Sequence, residues 1–180
     1  NVYNAKIFSY VVCTQWLQLY TYILSQFGNN KTYIAVELTT GDVITPREMK
    51  YNYNSIFEDK KIPLLTYTLE TVLAEKFQSV ITRGVFNTRQ KDFYDIYVLM
   101  NYKKNDIDDN NLKQAIYNTF KKRETIFDIE NIKEVSDILK EDENMSSLWK
   151  SYVSKNPYAN GITFKDTIEA LNLIIDILNK

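Results

Sequence analysis

The period of the apolar positions changes along this chain. Residues 16–25 (WLQLYTYILS) are rich in aromatic and β-branched types, and "FGNN" at 27–30 is a turn signal. Residues 32–39 (TYIAVELT) then alternate, with Ile34, Val36 and Leu38 on one side and Tyr33, Ala35, Glu37 and Thr39 on the other. The two segments predict a β-hairpin. An amphipathic helix over 7–27 competes with it, because Phe8, Val11, Val12, Leu19 and Ile23 also fit helical spacing. "TTGD" at 39–42 turns the chain, and 62–67 reads as a short strand that Pro63 consigns to a sheet edge.

From Thr68 the period becomes helical. Thr68 is a plausible N-cap, Glu70 lies in a first turn where the helix dipole favours it, and Gly84 is a stop signal. Further helical patterns run over 91–102, 111–123, 129–140, 145–154 and 163–179. The last begins with Thr163 and Asp166, a relative of the capping box, and carries Ile168, Leu171, Ile174, Ile175 and Leu178 as its buried stripe. The expected architecture is α+β, a small β region over 1–67 followed by a helical bundle over 68–180.

Composition narrows the chemistry. The 180 residues suffice for one ordinary domain with its own core, and 44% hydrophobic with 25% charged residues is a soluble globular balance. A net charge of -1 rules out a broad basic field, so any phosphate binding must come from a local cluster of cations. The single Cys13 excludes a disulfide framework and suits a reducing cytosol. The sequence contains no histidine, which removes Ser-His-Asp and Cys-His catalysis and histidine-bound zinc. Carboxylate, lysine, arginine and tyrosine chemistry remains, and carboxylates select hard ions such as Mg²⁺. Residues 7–26 carry no charge, but Gln15, Gln18 and Gln26 interrupt them, so no membrane helix is expected.

Three charged residues stand where a helix normally places leucine. On the helix over 68–83, Leu69, Val72, Leu73, Phe77, Val80 and Ile81 share one arc. Lys76 falls inside that arc, and Arg83 lies on the same side. The next helix is apolar nearly all round, with Phe93, Ile96, Tyr97, Leu99 and Met100, yet it carries Asp92 and Asp95 on one side. Arg89 and Lys91 add local positive charge. Two readings stay open. A Lys76–Asp92 bridge locks two helices together, or the same residues line a cleft in which Lys76 meets a phosphate. Lysine pairs such as Lys60–Lys61 and the run Lys121–Lys122–Arg123 read as solvated faces or RNA contacts. The 14 tyrosines read as core-edge material or base-stacking surface, and Trp149 with Met145, Leu148 and Tyr152 as helix packing.

"VELTTGDVITP" (36–46), "LETVLAEK" (69–76) and "RGVFNTRQKDFYDIYVL" (83–99) together resemble, in order and spacing, the AbiEii/AbiGii-type nucleotidyltransferase toxin family. That family is similar to DNA polymerase β-like nucleotidyltransferases and occurs in bacterial abortive-infection, phage-defence and toxin–antitoxin systems. The resemblance covers about 32–99 well and the C-terminal helices loosely. It implies that 1–67 is the β remnant of a nucleotidyltransferase core. It further implies a Mg²⁺- and NTP-dependent cytoplasmic enzyme, with Glu37 as a metal-side carboxylate and Lys76 on the nucleotide phosphate. Asp92 would be the catalytic or nucleotide-orienting carboxylate with Asp95 second, while Arg83, Arg89 and Lys91 stand beside Lys76 on the nucleotide side. A cognate antitoxin and an RNA acceptor are the implied partners.

The sequence departs from the family at its start. The family's Gly-Gly/Ser loop and D-x-D carboxylate pair have no counterpart before Glu37, since 1–27 contains neither Asp nor Glu and Gly28 stands alone. Glu replaces the usual Asp at 37 and is longer by a methylene. One carboxylate does not hold two Mg²⁺ ions. The expectation is therefore the C-terminal part of a longer enzyme, or a chain without the chemistry. The alternative class is a non-catalytic interaction module, a degenerate toxin remnant that binds an antitoxin or partner domain.

Overall fold

The computed structural model describes residues 5–13, 18–27, 30–38, 41, 43–56 and 58–180. It is α+β, as expected. Contacts divide the chain into two compact units, Asn1–Asp42 and Val43–Lys180. The first contains an antiparallel meander of β1 (Ala5–Cys13), β2 (Gln18–Phe27) and β3 (Asn30–Leu38), in that spatial order. β2 and β3 are the expected hairpin, in a register running from Leu19↔Leu38 to Phe27↔Asn30. The competing helix over 7–27 does not form. Its described residues lie in β1 and β2, which pair from Ala5↔Ser25 to Cys13↔Gln18 with an irregularity between Val11 and Cys13. Strand pairing fixes both flanks at once and overrides a helical spacing that aromatic and β-branched residues support weakly. Trp16, Leu17, Gly28 and Asn29 of the expected strand and turn, with Thr39, Thr40 and Asp42 of "TTGD", lie outside the described residues.

The second unit opens with a ribbon of β4 (Met49–Asn54) and β5 (Lys61–Thr66), paired antiparallel from Met49↔Thr66 to Asn54↔Lys61. β4 was not expected, because the lysine and asparagines between Met49, Tyr51 and Tyr53 read as loop, and all six of its residues are exposed. Pro63 sits opposite Asn52 in a sheet of two strands, where every strand is an edge. This unit holds both the ribbon and the helices.

Six helices follow: α1 (Leu69–Arg83), α2 (Gln90–Tyr102), α3 (Asp109–Lys122), α4 (Ile129–Glu141), α5 (Glu143–Lys155) and α6 (Phe164–Asn179). The caps are those the sequence advertises. Thr68 accepts from the Thr71 amide, Gly84 closes α1 at φ 50°, and Thr163 with Asp166 forms a complete capping box. Thr68 also donates to the Thr45 carbonyl at 2.6 Å, and the Thr45 amide donates to Thr71 Oγ1 at 2.9 Å. These bonds tie the segment before the ribbon to the start of α1. Glu70, in the first turn, accepts from the Asp108 amide and so fixes the N-cap of α3 as well.

The core is one cluster. Leu73 and Phe77 from α1, Phe93 and Ile96 from α2, Leu112, Ile116 and Phe120 from α3, and Ile168 and Leu171 from α6 are all fully buried. α6 buries Ile174, Ile175 and Ile177 too, with Leu178 partly buried against the cluster, so a wider face than the expected stripe is apolar-packed. Among the described residues no helix is long and apolar enough to cross a membrane.

Candidate functional site

The site residues on α1 and α2 owe their positions to the segment between them. Gly84 ends α1, a 3₁₀ turn (Gly84–Phe86) follows, and the fully buried Asn87 accepts the Arg89 amide at 2.9 Å. Gln90, also buried, donates back to the Asn87 carbonyl at 3.2 Å. This fixes where α2 begins, and hence where the first-turn Asp92 and Asp95 one turn later face α1.

Lys76 meets both aspartates. Its Nζ lies 2.9 Å from Asp92 Oδ1 and 2.8 Å from Asp95 Oδ2. Lys91 reaches Asp95 from the same helix at 2.8 Å. The Lys76, Asp92 and Asp95 side chains are only 23%, 13% and 17% exposed, whereas Lys91 at 65% is a solvent-side partner. Two lysines and two carboxylates therefore balance formally. Burial alone lowers the Lys76 pKa, but hydrogen bonds to Asp95 and Asp92, with their negative charges, outweigh it and raise the value above that of an ordinary lysine. Lys76 is thus a fixed cation at neutral pH. It can exchange a carboxylate for a phosphate oxygen without first gaining a proton.

The structure brings Lys76, Asp92, Asp95 and Lys91 together. Arg83, in the last turn of α1, and Arg89, at the N-cap of α2, are both exposed and take no part in these ion pairs. Glu37 pairs with Tyr20 across β2 and β3, in the other unit of the chain. Sequence pattern singled out a Lys76–Asp92 pair, whereas Asp95 holds the same ammonium at equal distance. Arg123 also behaves differently from its run: Lys121 and Lys122 are exposed, but Arg123 turns inward to donate to Gln78 Oε1 at 2.8 Å. Trp149 packs in the core as expected, its Nε1 donating to the Ile162 carbonyl at 2.9 Å.

Among the described residues no three aspartate, glutamate, cysteine or histidine side chains gather as a metal site. Asp92 and Asp95 direct oxygens at Lys76 and Lys91, which opposes a cation between them. The described donors do not fit a Mg²⁺ site.

Residues 15–170 match the family described as "Nucleotidyl transferase AbiEii toxin, Type IV TA system". No curated protein matches, and no solved structure matches.

Proposed function

Because this chain belongs to the nucleotidyl transferase AbiEii toxin family of type IV toxin–antitoxin systems, we propose that α1 and α2 carry the phosphate-binding and acceptor-positioning half of a nucleotidyl-transfer site. The observation behind this reading is the Lys76 ammonium of α1, charged at neutral pH and held by Asp92 and Asp95 of the packed α2. A nucleoside triphosphate would draw Lys76 onto its phosphate oxygens and leave Asp92 free to take the proton of an attacking hydroxyl. The hydroxyl oxygen then bonds to the α-phosphorus, and the bond to pyrophosphate breaks. Asp95 keeps its pair with Lys91 within α2, so its charge stays compensated during the exchange. Glu37 is the carboxylate offered on the metal side by the family pattern. Alone it does not make a Mg²⁺ site, and no step is assigned through one. An RNA hydroxyl is the acceptor class we favour, a cognate antitoxin the protein partner, and the cytoplasm, where NTPs are held, the location.

The test is equilibrium binding of ATP to the 180-residue chain. Lys76→Ala should weaken it at least tenfold, whereas Asp92→Asn, which removes a competitor for the ammonium, should leave it equal or tighter. ATP binding that is indifferent to Lys76 would sink the proposal. A second reading rests on the same geometry: two carboxylates already satisfy Lys76, as in a structural ion pair. A chain that loses stability on Lys76→Ala and binds no ATP at all is the interaction module instead.

A further inference from the structure

At the edge of the core, on the helix that carries Asp92 and Asp95, lies an aromatic group that the phosphate chemistry does not use. Tyr94 sits between Asp92 and Asp95 in α2, Tyr152 comes from α5, and Tyr158 from the 3₁₀ turn Pro157–Ala159. Tyr94 and Tyr158 have ring centroids 5.0 Å apart, Tyr94 and Tyr152 6.3 Å, and Tyr152 and Tyr158 6.4 Å. Tyr152 leans in turn on the buried Trp149, at 5.3 Å with the ring planes 31° apart, which anchors the group to the core. The Tyr152 and Tyr158 hydroxyls hydrogen-bond each other at 2.9 Å.

Two features separate this group from ordinary packing. Tyr158 leaves 56% of its surface in water, although an apolar ring gains by burial. The group also adjoins the charged site. Burial first, then the bond to Tyr158, and then the nearby Tyr158 and Asp95 raise the Tyr152 pKa, so Tyr152 stands within electrostatic reach of the carboxylate that holds Lys76. Neutral, anchored rings with an open outer member are what a base needs for stacking, and they add no charge to repel a triphosphate.

We propose that Tyr94, Tyr152 and Tyr158 form a nucleobase shelf, with Tyr158 as its outer ring, on which the base of a nucleoside triphosphate stacks while its phosphates engage Lys76. This rests on the reading of Lys76 as a phosphate ligand. It adds a specificity statement: recognition through ring faces tolerates every base, so the shelf distinguishes nucleotides from bare polyphosphate more than one base from another.

The experiment compares two probes, ATP and inorganic tripolyphosphate, on the 180-residue chain. Stacking on an aromatic platform should make ATP bind roughly 5- to 150-fold more tightly than tripolyphosphate. Tyr158→Ala should bring that ratio close to one with tripolyphosphate affinity unchanged, whereas Tyr158→Phe, which keeps the ring, should preserve it. Lys76→Ala should weaken both probes and leave the ratio intact. A ratio that survives Tyr158→Ala overturns the shelf and leaves the phosphate reading standing. A ratio lost equally in Tyr158→Phe overturns stacking in favour of a hydroxyl contact. Binding of neither probe overturns both readings.

Discussion

Replacing Lys76 by methionine keeps most of the side-chain stem and removes only the charge, so it isolates the ion-pair cluster. The wild-type ammonium makes two charge-assisted contacts, at 2.9 Å to Asp92 and 2.8 Å to Asp95. Hydrogen bonds to charged groups contribute about 1.5–3 kcal/mol each when well buried. Exposures of 23%, 13% and 17% place these bonds between the surface and fully buried limits, which argues for the low end. Asp95 retains Lys91, so Asp92 is the carboxylate left without its cation. The expected loss is about 2 kcal/mol in urea unfolding followed by the helical circular dichroism signal. Asp92→Asn should cost less, and the Lys76→Met/Asp92→Asn double variant should fall short of the sum by about 1 kcal/mol, because the two singles remove one shared interaction. The pH dependence carries a sign. The folded-state pKa of Lys76 lies above the unfolded value, so its contribution is complete below about pH 10 and disappears only as pH rises through the folded value. The difference between wild type and Lys76→Met should be flat from pH 7 to 9 and shrink above pH 10. A loss under about 0.5 kcal/mol, or a difference already falling at pH 8, would refute the account of a partly buried, doubly held cation.

Two further perturbations test how the site is positioned. Gly84→Ala should cost about 1 kcal/mol through backbone strain at φ 50°, because the new Cβ meets only Val135 Cγ1 at an ordinary 3.9 Å; a neutral result in thermal unfolding would show that the turn relaxes freely. Thr68→Val keeps the shape but removes the N-cap and the 2.6 Å bond to the Thr45 carbonyl, so about 1–2 kcal/mol should be lost. Amide exchange at Thr45 and Thr71 should quicken more than exchange in the core of α6, and uniform exchange would contradict a local tether.

The helical half was legible because its signals are local. Thr68, Gly84 and the Thr163–Asp166 box act within one turn of themselves, so no distant contact is needed to find the ends of α1 or the start of α6. The strands were less so. No strand was expected over 7–12, where Phe8, Val11 and Val12 fit helical spacing, and only pairing with residues on β2 makes it one; β4 is polar and exposed, so it exists through its ladder with β5 rather than through burial. The same division runs through the site. A lysine inside an apolar arc is an anomaly visible in one helix, which is why Lys76 could be found, and a carboxylate on the facing helix is its natural counterion. That Asp95 shares the ammonium equally depends on side-chain reach between helices, which no single-helix pattern encodes. Tyr158 lies further from such a pattern still, since it arrives on a 3₁₀ turn beyond three intervening helices and only the fold sets it against Tyr94. A residue that is charged where it should be apolar announces itself in sequence. One that is aromatic where it should be buried does so only once its surroundings are known, so Lys76 stands out in the chain and Tyr158 only in the fold.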